Sequence, residues 1–167
     1  SFAGTLNSQF TFDILSENLS EIIKKFPQVI FLVVGNGELY DDFKESLAHH
    51  NNLRFLGRKK YAELLTIAEK SSAFFCFYHN PMTYDSHFTN KLIEYMQFGK
   101  PFIHNLKNDF YLNGVRYEVG CSTQDISLVE FVAKLVQGEL QDSKGEEADL
   151  SEFSESVVKA KFLEIME

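Results

Sequence analysis

The 167-residue sequence predicts a doubly wound α/β fold, in which a parallel sheet carries helices on both faces. Apolar runs of strand length alternate with segments in which apolar residues recur every three or four positions. This alternation is typical of βαβ units, in which each helix returns the chain to the start of the next parallel strand. A chain of this length can form one domain with a sizeable core.

The first part of the chain contains three predicted strands. A terminal strand at about 1–4 precedes a helix at 9–25 with one apolar stripe, formed by Phe12, Leu15, Leu19, Ile22 and Ile23. The apolar run at 28–34 is too continuous for a half-exposed hairpin, so it predicts a strand buried on both faces. The next elements are a helix at 38–49, a strand at 52–56 and a helix at 60–70.

The second part continues this alternation and then changes character. It contains a strand at 72–78, a helix at 88–98, a short strand at 101–104, a weaker strand near 115–119 and a helix at 126–138. Residues 139–149 are polar and acidic and predict a surface loop. Residues 150–167 carry apolar residues in helical register, so we expect a C-terminal helix that packs back on the core, residues 1–138.

Composition excludes several classes of function. The formal net charge of -8 disfavours contact with a nucleic-acid backbone. No apolar run is long enough to span a bilayer and no signal region opens the sequence, so we expect a cytoplasmic protein without a membrane segment in this chain. The spacing of Cys76 and Cys121 fits neither a metal site nor a disulfide framework, and no metal or cofactor is predicted.

Ligands of parallel sheets bind beyond the carboxyl ends of the strands, where four loops are predicted. The turn at Gly4 and Thr5 offers backbone N–H groups to an anion, although a small residue also suits such a turn sterically. The VVGNGE turn contains Gly35 and Gly37 but lacks the third glycine or the lysine of a nucleotide fingerprint. That composition favours turn formation alone.

The third loop follows the strand at 52–56. Gly57 precedes a basic run that begins at Arg58. Backbone amides at this strand end could meet a nucleobase, and the run could equally be the solvated start of the next helix. Both interpretations stay open.

The fourth loop, 77–90, is longer than most connections in compact domains, and loops of that length are often functional. Its helix begins at Thr89 or Asn90, so the free N–H groups of the first turn point to the predicted cleft, where Lys91 adds a positive charge. The stripe expected to face the sheet is Leu92, Ile93 and Met96. Glu94 then lies off this stripe and points towards the loops, either to bind a ligand or to interact only with the helix macrodipole.

The motif NKLIEYMQFGKP at 90–101 is similar to an element of glycosyltransferases with the two-domain GT-B fold, specifically the large retaining family GT4. The order of elements and the two glycine turns agree with the C-terminal, nucleotide-sugar-binding half of that family from residue 1 to about 138. The resemblance implies a Rossmann-like domain, and it implies that the N-terminal, acceptor-binding domain of the parent protein is absent from this chain.

The resemblance also implies roles for individual residues. Glu94 corresponds to the second glutamate of the family's E-x7-E motif, which accepts hydrogen bonds from the two ribose hydroxyls of the donor nucleotide. The diphosphate would contact Gly4, Thr5, Thr89, Asn90 and Lys91, and the base would contact Gly57 and Arg58.

Two departures from the family pattern concern the donor sugar and the phosphates. Ser86 stands where the first glutamate of the motif should be, so contacts with the sugar fall to Asp85, Ser86 or His87. Many members carry an Arg and a Lys just after the first glycine turn, whereas TLNSQFTFD follows it here. His87 could be a catalytic base or an ordinary loop histidine, and no catalytic residue is assigned.

The implied function is donor binding in a retaining hexosyltransferase that moves a hexose from a UDP- or GDP-sugar to a bacterial surface polysaccharide or lipid-linked acceptor. Acceptor binding, and any contact with the inner face of the membrane, would involve the missing half. An alternative is a non-catalytic regulatory or scaffolding domain, in which Ser86 and the absent basic residues reflect a degenerate donor site. A third interpretation, half of a nucleotide-sugar epimerase, predicts selectivity for UDP.

Overall fold

The computed structural model describes residues 1–85, 89–108, 110–112, 115–117 and 119–140. The acidic loop from residue 141 onwards, the predicted C-terminal helix, Ser86 and His87 therefore lie outside the described residues. Helices and parallel strands alternate, and the predicted α/β class is confirmed.

The strands are β1 (Phe2–Ala3), β2 (Phe31–Val34), β3 (Leu53–Gly57), β4 (Phe74–Cys76), β5 (Phe102–His104), β6 (Phe110–Leu112), β7 (Val115–Tyr117) and β8 (Cys121–Ser122). The helices are α1 (Asp13–Lys25), α2 (Tyr40–Ser46), α3 (Tyr61–Lys70), α4 (Asn90–Gln97) and α5 (Leu128–Gln137), with a 3-10 turn at Pro81–Thr83.

The parallel strands form the order β3-β2-β1 on one side and β4-β5-β8 on the other. The two sets meet where β1 lies beside β4, and the N–H of Phe75 donates to the carbonyl of Ser1 at 2.9 Å. From this junction the strands follow their order in the chain towards each edge, which is β1, β2 and β3 on one side and β4, β5 and β8 on the other. The junction is therefore the topological switch point, where doubly wound sheets open a crevice.

Adjacent strand residues point to opposite faces of the sheet, and in β4 they show which helices cover each face. The Phe74 ring stacks on Tyr95 of α4 at 4.6 Å between centroids. The Phe75 ring packs instead against Phe12, at the start of α1, at 6.1 Å. Helices α1 and α4 therefore lie on opposite faces, which confirms the prediction that helices cover both faces of the sheet.

Amphipathic patterns fix the two sides of the core. On one face α1 buries Leu15, Leu19 and Ile22 and packs against α5. On the other face Leu64 of α3 packs on Ala3 and Val34. Full burial of an aliphatic side chain stabilises the fold by about 1.5–3 kcal/mol, so these stripes account for much of the docking energy of the helices.

Helix α1 begins four residues later than predicted because the preceding residues pair with the chain beyond β4. The N–H of Thr11 donates to the Phe77 carbonyl at 2.9 Å, and the N–H of His79 donates to the Gln9 carbonyl at 2.9 Å. Extended pairing is incompatible with helix at residues 9–11. The same hydrogen bonds connect the loop after β1 to the loop after β4, and these two loops flank the switch point.

The end of the sheet differs from the prediction of a weak strand at 115–119. Residues 115–117 form β7, which pairs antiparallel with β6 in a separate hairpin. The strand that completes the parallel sheet is β8, and it pairs with β5. At two residues, β8 is too short for an alternating or continuous apolar pattern to reveal it.

Candidate functional site

A cavity of about 790 Å³ opens at the carboxyl ends of β1 to β4, on both sides of the switch point. Its walls are the loops that follow these four strands, together with the first turns of α4. The cavity therefore lies at the end of the sheet where the sequence predicted ligand binding. Cavities of this size can hold a ligand as large as a nucleotide.

Two glycines of the VVGNGE turn allow the loops after β1 and β2 to pack backbone against backbone. A Cβ on Gly35 would overlap the carbonyl oxygen of Gly4, and a Cβ on Gly37 would overlap that of Leu6. The N–H of Leu6 donates to the Asn36 carbonyl at 3.0 Å. Turn formation alone is thus an incomplete explanation, because these glycines also hold Gly4 in place at the cavity floor.

The N-terminus of α4 forms one wall of the cavity. Thr89 is its N-cap, and the Thr89 Oγ1 accepts the N–H of Leu92 at 3.4 Å and lies 2.6 Å from the Tyr78 hydroxyl. Tyr78 is itself held by two 2.8 Å hydrogen bonds between its backbone and the Asn105 side chain. Thr89, Asn90 and Lys91 all line the cavity, so the first turn of α4 and its polarised N–H groups lie at this wall.

Lys91 joins this helix to the end of β1. Its Nζ lies 2.6 Å from Glu94 Oε2. A Cβ on Gly4 would lie 2.5 Å from Lys91 Cε and 2.9 Å from Nζ, so the lysine side chain occupies the space that glycine leaves open. The ammonium therefore lies between Gly4 and Glu94, directly at the switch point.

The structure contradicts the prediction that Glu94 lies off the buried stripe of α4. The residue is only 7% exposed, although it still lines the cavity. The buried stripe of α4 includes Tyr95, while Met96 is only partly buried. Tyr95 faces the sheet, where its hydroxyl accepts the Ala3 N–H at 3.3 Å and donates to the Phe75 carbonyl at 3.4 Å. The hydroxyl therefore connects β1 and β4.

Burial controls the electrostatics of this wall. It raises the pKa of Glu94 above its ordinary value of 4.5, while the charge and hydrogen bond of Lys91 act in the opposite direction. Burial also raises the pKa of the Cys76 thiol to about 12 and raises the pKa of the Tyr78 hydroxyl. The 2.6 Å contact between Lys91 and Glu94 therefore lies beside the neutral Cys76 thiol and Tyr78 hydroxyl, in surroundings where charge-assisted hydrogen bonds are strong.

Basic residues line the side of the cavity next to β3. Arg58 and Lys59 contribute to this wall, and the Lys59 ammonium lies 3.9 Å from Glu63. Gly57, predicted with Arg58 to meet a base, is not among the lining residues. It is the last residue of β3, with φ of 66°, and its carbonyl accepts the N–H of Gly35 at 2.9 Å.

Of the three residues predicted to contact the donor sugar, only Asp85 lies within the described residues. Asp85 turns to Lys107, since its Oδ1 accepts the Lys107 N–H at 3.1 Å and its Oδ2 lies 3.6 Å from Nζ. Among the described residues of this loop, Thr83 and Tyr84 line the cavity and Asp85 does not. Ser86 and His87, the other two predicted sugar contacts, lie outside the described residues.

Several polar and aromatic residues of the cavity wall were not predicted from the sequence. They are Asn7, Gln9, Phe10, Asn36, Tyr78 and Tyr84. Each lies in the loop that follows the first, second or fourth strand, and that position was the available signal. The pairing between residues 9–11 and 77–79 that brings two of these loops together has no local sequence signature.

Within the described part of the chain, no three side chains of His, Cys, Asp and Glu lie close enough together to hold a metal ion. No helix of the described residues has the length and apolar character needed to cross a membrane.

The model of the family Glycosyl transferases group 1 matches residues 1–111 of this chain, which includes the cavity and all of α4. No curated protein matches the sequence.

Several solved structures of glycosyltransferases share the fold. The chain is similar to pneumococcal O-GlcNAc transferase GtfA in complex with UDP and GlcNAc, with a TM-score of 0.61 and 15% identity over 99% of this chain and 34% of that one. It is similar to a mutant of S. aureus TarM in complex with Fondaparinux, alpha-GlcNAc-glycerol and UDP, with a TM-score of 0.62 and 18% identity over 98% of this chain and 34% of that one.

The apo form of the lipopolysaccharide outer core galactosyltransferase WaaB is also similar, with a TM-score of 0.52 and 16% identity over 99% of this chain and 47% of that one. At these identities the likeness concerns the fold. The chain spans about a third of the length of GtfA and TarM.

Proposed function

Since this chain belongs to the group 1 glycosyltransferases, we propose that it is the C-terminal, donor-binding half of a retaining, GT4-like hexosyltransferase. Its substrate is a nucleotide-sugar, and no further cofactor takes part. The observation that carries the proposal is the Lys91–Glu94 pair, which lies at the switch point of the sheet and at the wall of a cavity of about 790 Å³.

The donor nucleotide crosses the ends of the central strands in this proposal. Its ribose hydroxyls donate hydrogen bonds to the Glu94 carboxylate, at about 1.5–3 kcal/mol for each charge-assisted bond. Its diphosphate contacts the Lys91 ammonium and the N–H groups of Thr89 and Asn90, with Gly4 below. Its base extends along β2 towards Arg58, which lines the cavity beyond Gly35.

The ion pair explains how a carboxylate can be kept ready for this role although it is largely buried. Without a ligand, Lys91 offsets part of the cost of burying the Glu94 charge. When the nucleotide binds, the ammonium interacts with phosphate oxygens and the ribose hydroxyls supply hydrogen bonds to the carboxylate. Lys91 thereby provides the positive charge that no residue of TLNSQFTFD, the segment after the first glycine turn, supplies.

UDP is the first nucleotide to test, because both GtfA and TarM were crystallised with it, and GDP is the second. Acceptor recognition and sugar transfer are assigned to a further domain of the parent enzyme. Catalysis requires the acceptor to be oriented against the anomeric carbon, which a second domain closing over the cavity can do. We place the reaction in the bacterial cytoplasm, with a surface polysaccharide or a lipid-linked glycan as acceptor.

Titration with UDP, GDP and ADP, followed by amide NMR shifts, tests the proposal. We expect shifts at residues 4–5, 58–59 and 89–94 with UDP or GDP, and a weaker response to ADP. In the Glu94→Ala variant the affinity should fall at least about tenfold, which corresponds to about 1.4 kcal/mol. Shifts that map elsewhere, or an unchanged affinity in the variant, would contradict the assignment.

A second candidate, a non-catalytic domain with a degenerate donor site, is favoured by two observations at the sugar side. Ser86 replaces the first glutamate of the motif, and the Asp85 carboxylate turns to Lys107. This candidate predicts that none of the three nucleotides binds at millimolar concentration. The same titration therefore separates the two candidates.

A further inference from the structure

Three aromatic rings form a continuous wall at the β4 side of the cavity. The ring centroid of Tyr78 lies 5.2 Å from that of Phe10 and 4.8 Å from that of Tyr84. Phe10 and Tyr78 are buried at 7% and 3% exposure, whereas Tyr84 is partly exposed and lines the cavity. Tyr84 is thus the member of this aromatic wall with ring surface available to a ligand.

The backbone around Tyr84 is fixed on both sides. The N–H of Tyr84 donates to the Pro81 carbonyl at 2.9 Å and closes the 3-10 turn. The next residue, Asp85, is bound through its carboxylate to the backbone and the ammonium of Lys107. A side chain on a backbone held in this way loses less conformational entropy when a ligand packs on it.

Tyr84 and the basic residues lie at opposite ends of the site. Arg58 follows β3, and Tyr84 follows β4, with β2 and β1 between these two strands. Lys91 and Glu94 lie in the middle, at the junction of β1 and β4. A nucleotide with its base towards Arg58 and its phosphates at Lys91 therefore directs whatever follows the second phosphate towards Tyr84.

We propose that Tyr84 is a platform for the hexose of the donor and contributes to the choice of sugar. The apolar C–H face of a pyranose packs against an aromatic ring, while its hydroxyls remain at the polar edge of the cavity. This inference rests on the proposed function, because it takes the orientation of the nucleotide from it. In this proposal the Tyr84 ring contacts the sugar at the end of the cavity where the Asp85 carboxylate is bound to Lys107.

Calorimetric titration with UDP alone and with UDP-glucose, UDP-galactose and UDP-GlcNAc tests this role. In the wild type the preferred UDP-sugar should bind more tightly than UDP. Tyr84→Leu keeps an apolar side chain against Tyr78 but removes the aromatic face. It should weaken binding of that UDP-sugar about two- to tenfold, the range expected for one aromatic contact, and change binding of UDP less than twofold.

Two further variants make the test specific. Tyr84→Phe should bind the UDP-sugar as the wild type does, because the ring face is retained. Tyr61→Ala removes a tyrosine that does not line the cavity and should leave both affinities unchanged. Thermal midpoints of all variants show whether each protein is folded.

The outcomes separate this inference from the proposed function. UDP binding that persists in Tyr84→Leu, together with an unchanged affinity for every UDP-sugar, would overturn the role of Tyr84 alone. Equal losses for UDP and for UDP-sugar would also overturn it, because they indicate a structural effect. The proposed function would be contradicted if the wild-type protein bound none of UDP, the UDP-sugars and GDP.

Discussion

Lys91→Met removes the ammonium from the ion pair at the switch point and keeps an unbranched side chain above Gly4. In the wild type the Nζ of Lys91 lies 2.6 Å from the Glu94 carboxylate, and the two side chains are 13% and 8% exposed. Breaking a buried pair by removal of one partner costs about 3–5 kcal/mol. Because Glu94 can take up a proton instead, we expect the free energy of unfolding to fall by about 2–4 kcal/mol at pH 8.

The pH dependence of this loss follows from the direction of the pKa shift. Burial already raises the pKa of Glu94 above 4.5, and loss of Lys91 raises it further. A carboxyl group with a raised pKa in the folded state favours folding at low pH and loses that contribution as the pH rises through the folded-state pKa. The penalty of Lys91→Met should therefore be large at pH 8 and smaller at pH 5.

Urea denaturation followed by circular dichroism at both pH values measures this effect. With a slope of about 2 kcal/mol per molar urea, the midpoint should fall by about 1–2 M at pH 8. Addition of Glu94→Gln to Lys91→Met should restore more than half of the loss. Lys107→Met is the matched control, since the Lys107 side chain is 61% exposed and its 3.6 Å pair with Asp85 is worth about 1 kcal/mol or less.

Equal midpoints for the wild type and Lys91→Met at pH 8 would refute this reasoning. A penalty that is the same at pH 5 and pH 8 would also refute it, because the loss would then not depend on the charge of Glu94.

Two other predictions concern the fold that carries the site. Gly35→Ala should lower the free energy of unfolding by about 3 kcal/mol or more, because its Cβ would overlap the Gly4 carbonyl and its φ of 137° disfavours a side chain. Thermal denaturation should show a smaller loss for Gly138→Ala, since Gly138 also has a positive φ, of 73°, but its Cβ would meet nothing within 4 Å. Burial lowers the pKa of His104 below 6.5, so its contribution to stability should be complete above that pH and decline as the pH falls through it. A His104→Gln variant should lose that part of the pH dependence in urea denaturation, and an unchanged pH profile would contradict it.

The central architecture could be predicted from the sequence because its strands and helices have strong periodic signals. The apolar run that contains β2 and the stripe of α1 with Leu15 and Leu19 are of this kind. The end of the sheet could not be predicted, because β8 has two residues and its pairing with β5 depends on contacts distant in sequence. The late start of α1 has the same cause, since Thr11 pairs with Phe77.

The sequence predicted that the candidate site lies at the carboxyl ends of the strands and beside the N-terminus of α4, where the cavity is found. The placement of Glu94 off the buried stripe of α4 was predicted wrongly, because helical spacing does not reveal that Tyr95 faces the sheet and hydrogen-bonds to two strands. The proximity of Lys91 to Gly4 and the aromatic wall around Tyr78 depend on tertiary packing. Such contacts join residues far apart in the chain and leave no periodic trace in the sequence.

The contact between Glu94 and the ribose can be measured directly with a nucleotide that lacks the hydroxyls. Calorimetric titration of wild type and Glu94→Gln with UDP and with 2′,3′-dideoxy-UDP forms a double-mutant cycle between protein and ligand. We expect the wild type to bind UDP at least about tenfold more tightly than the dideoxy analogue, and Glu94→Gln to bind the two within about threefold. An equal preference for UDP in both proteins would contradict the proposed role of Glu94.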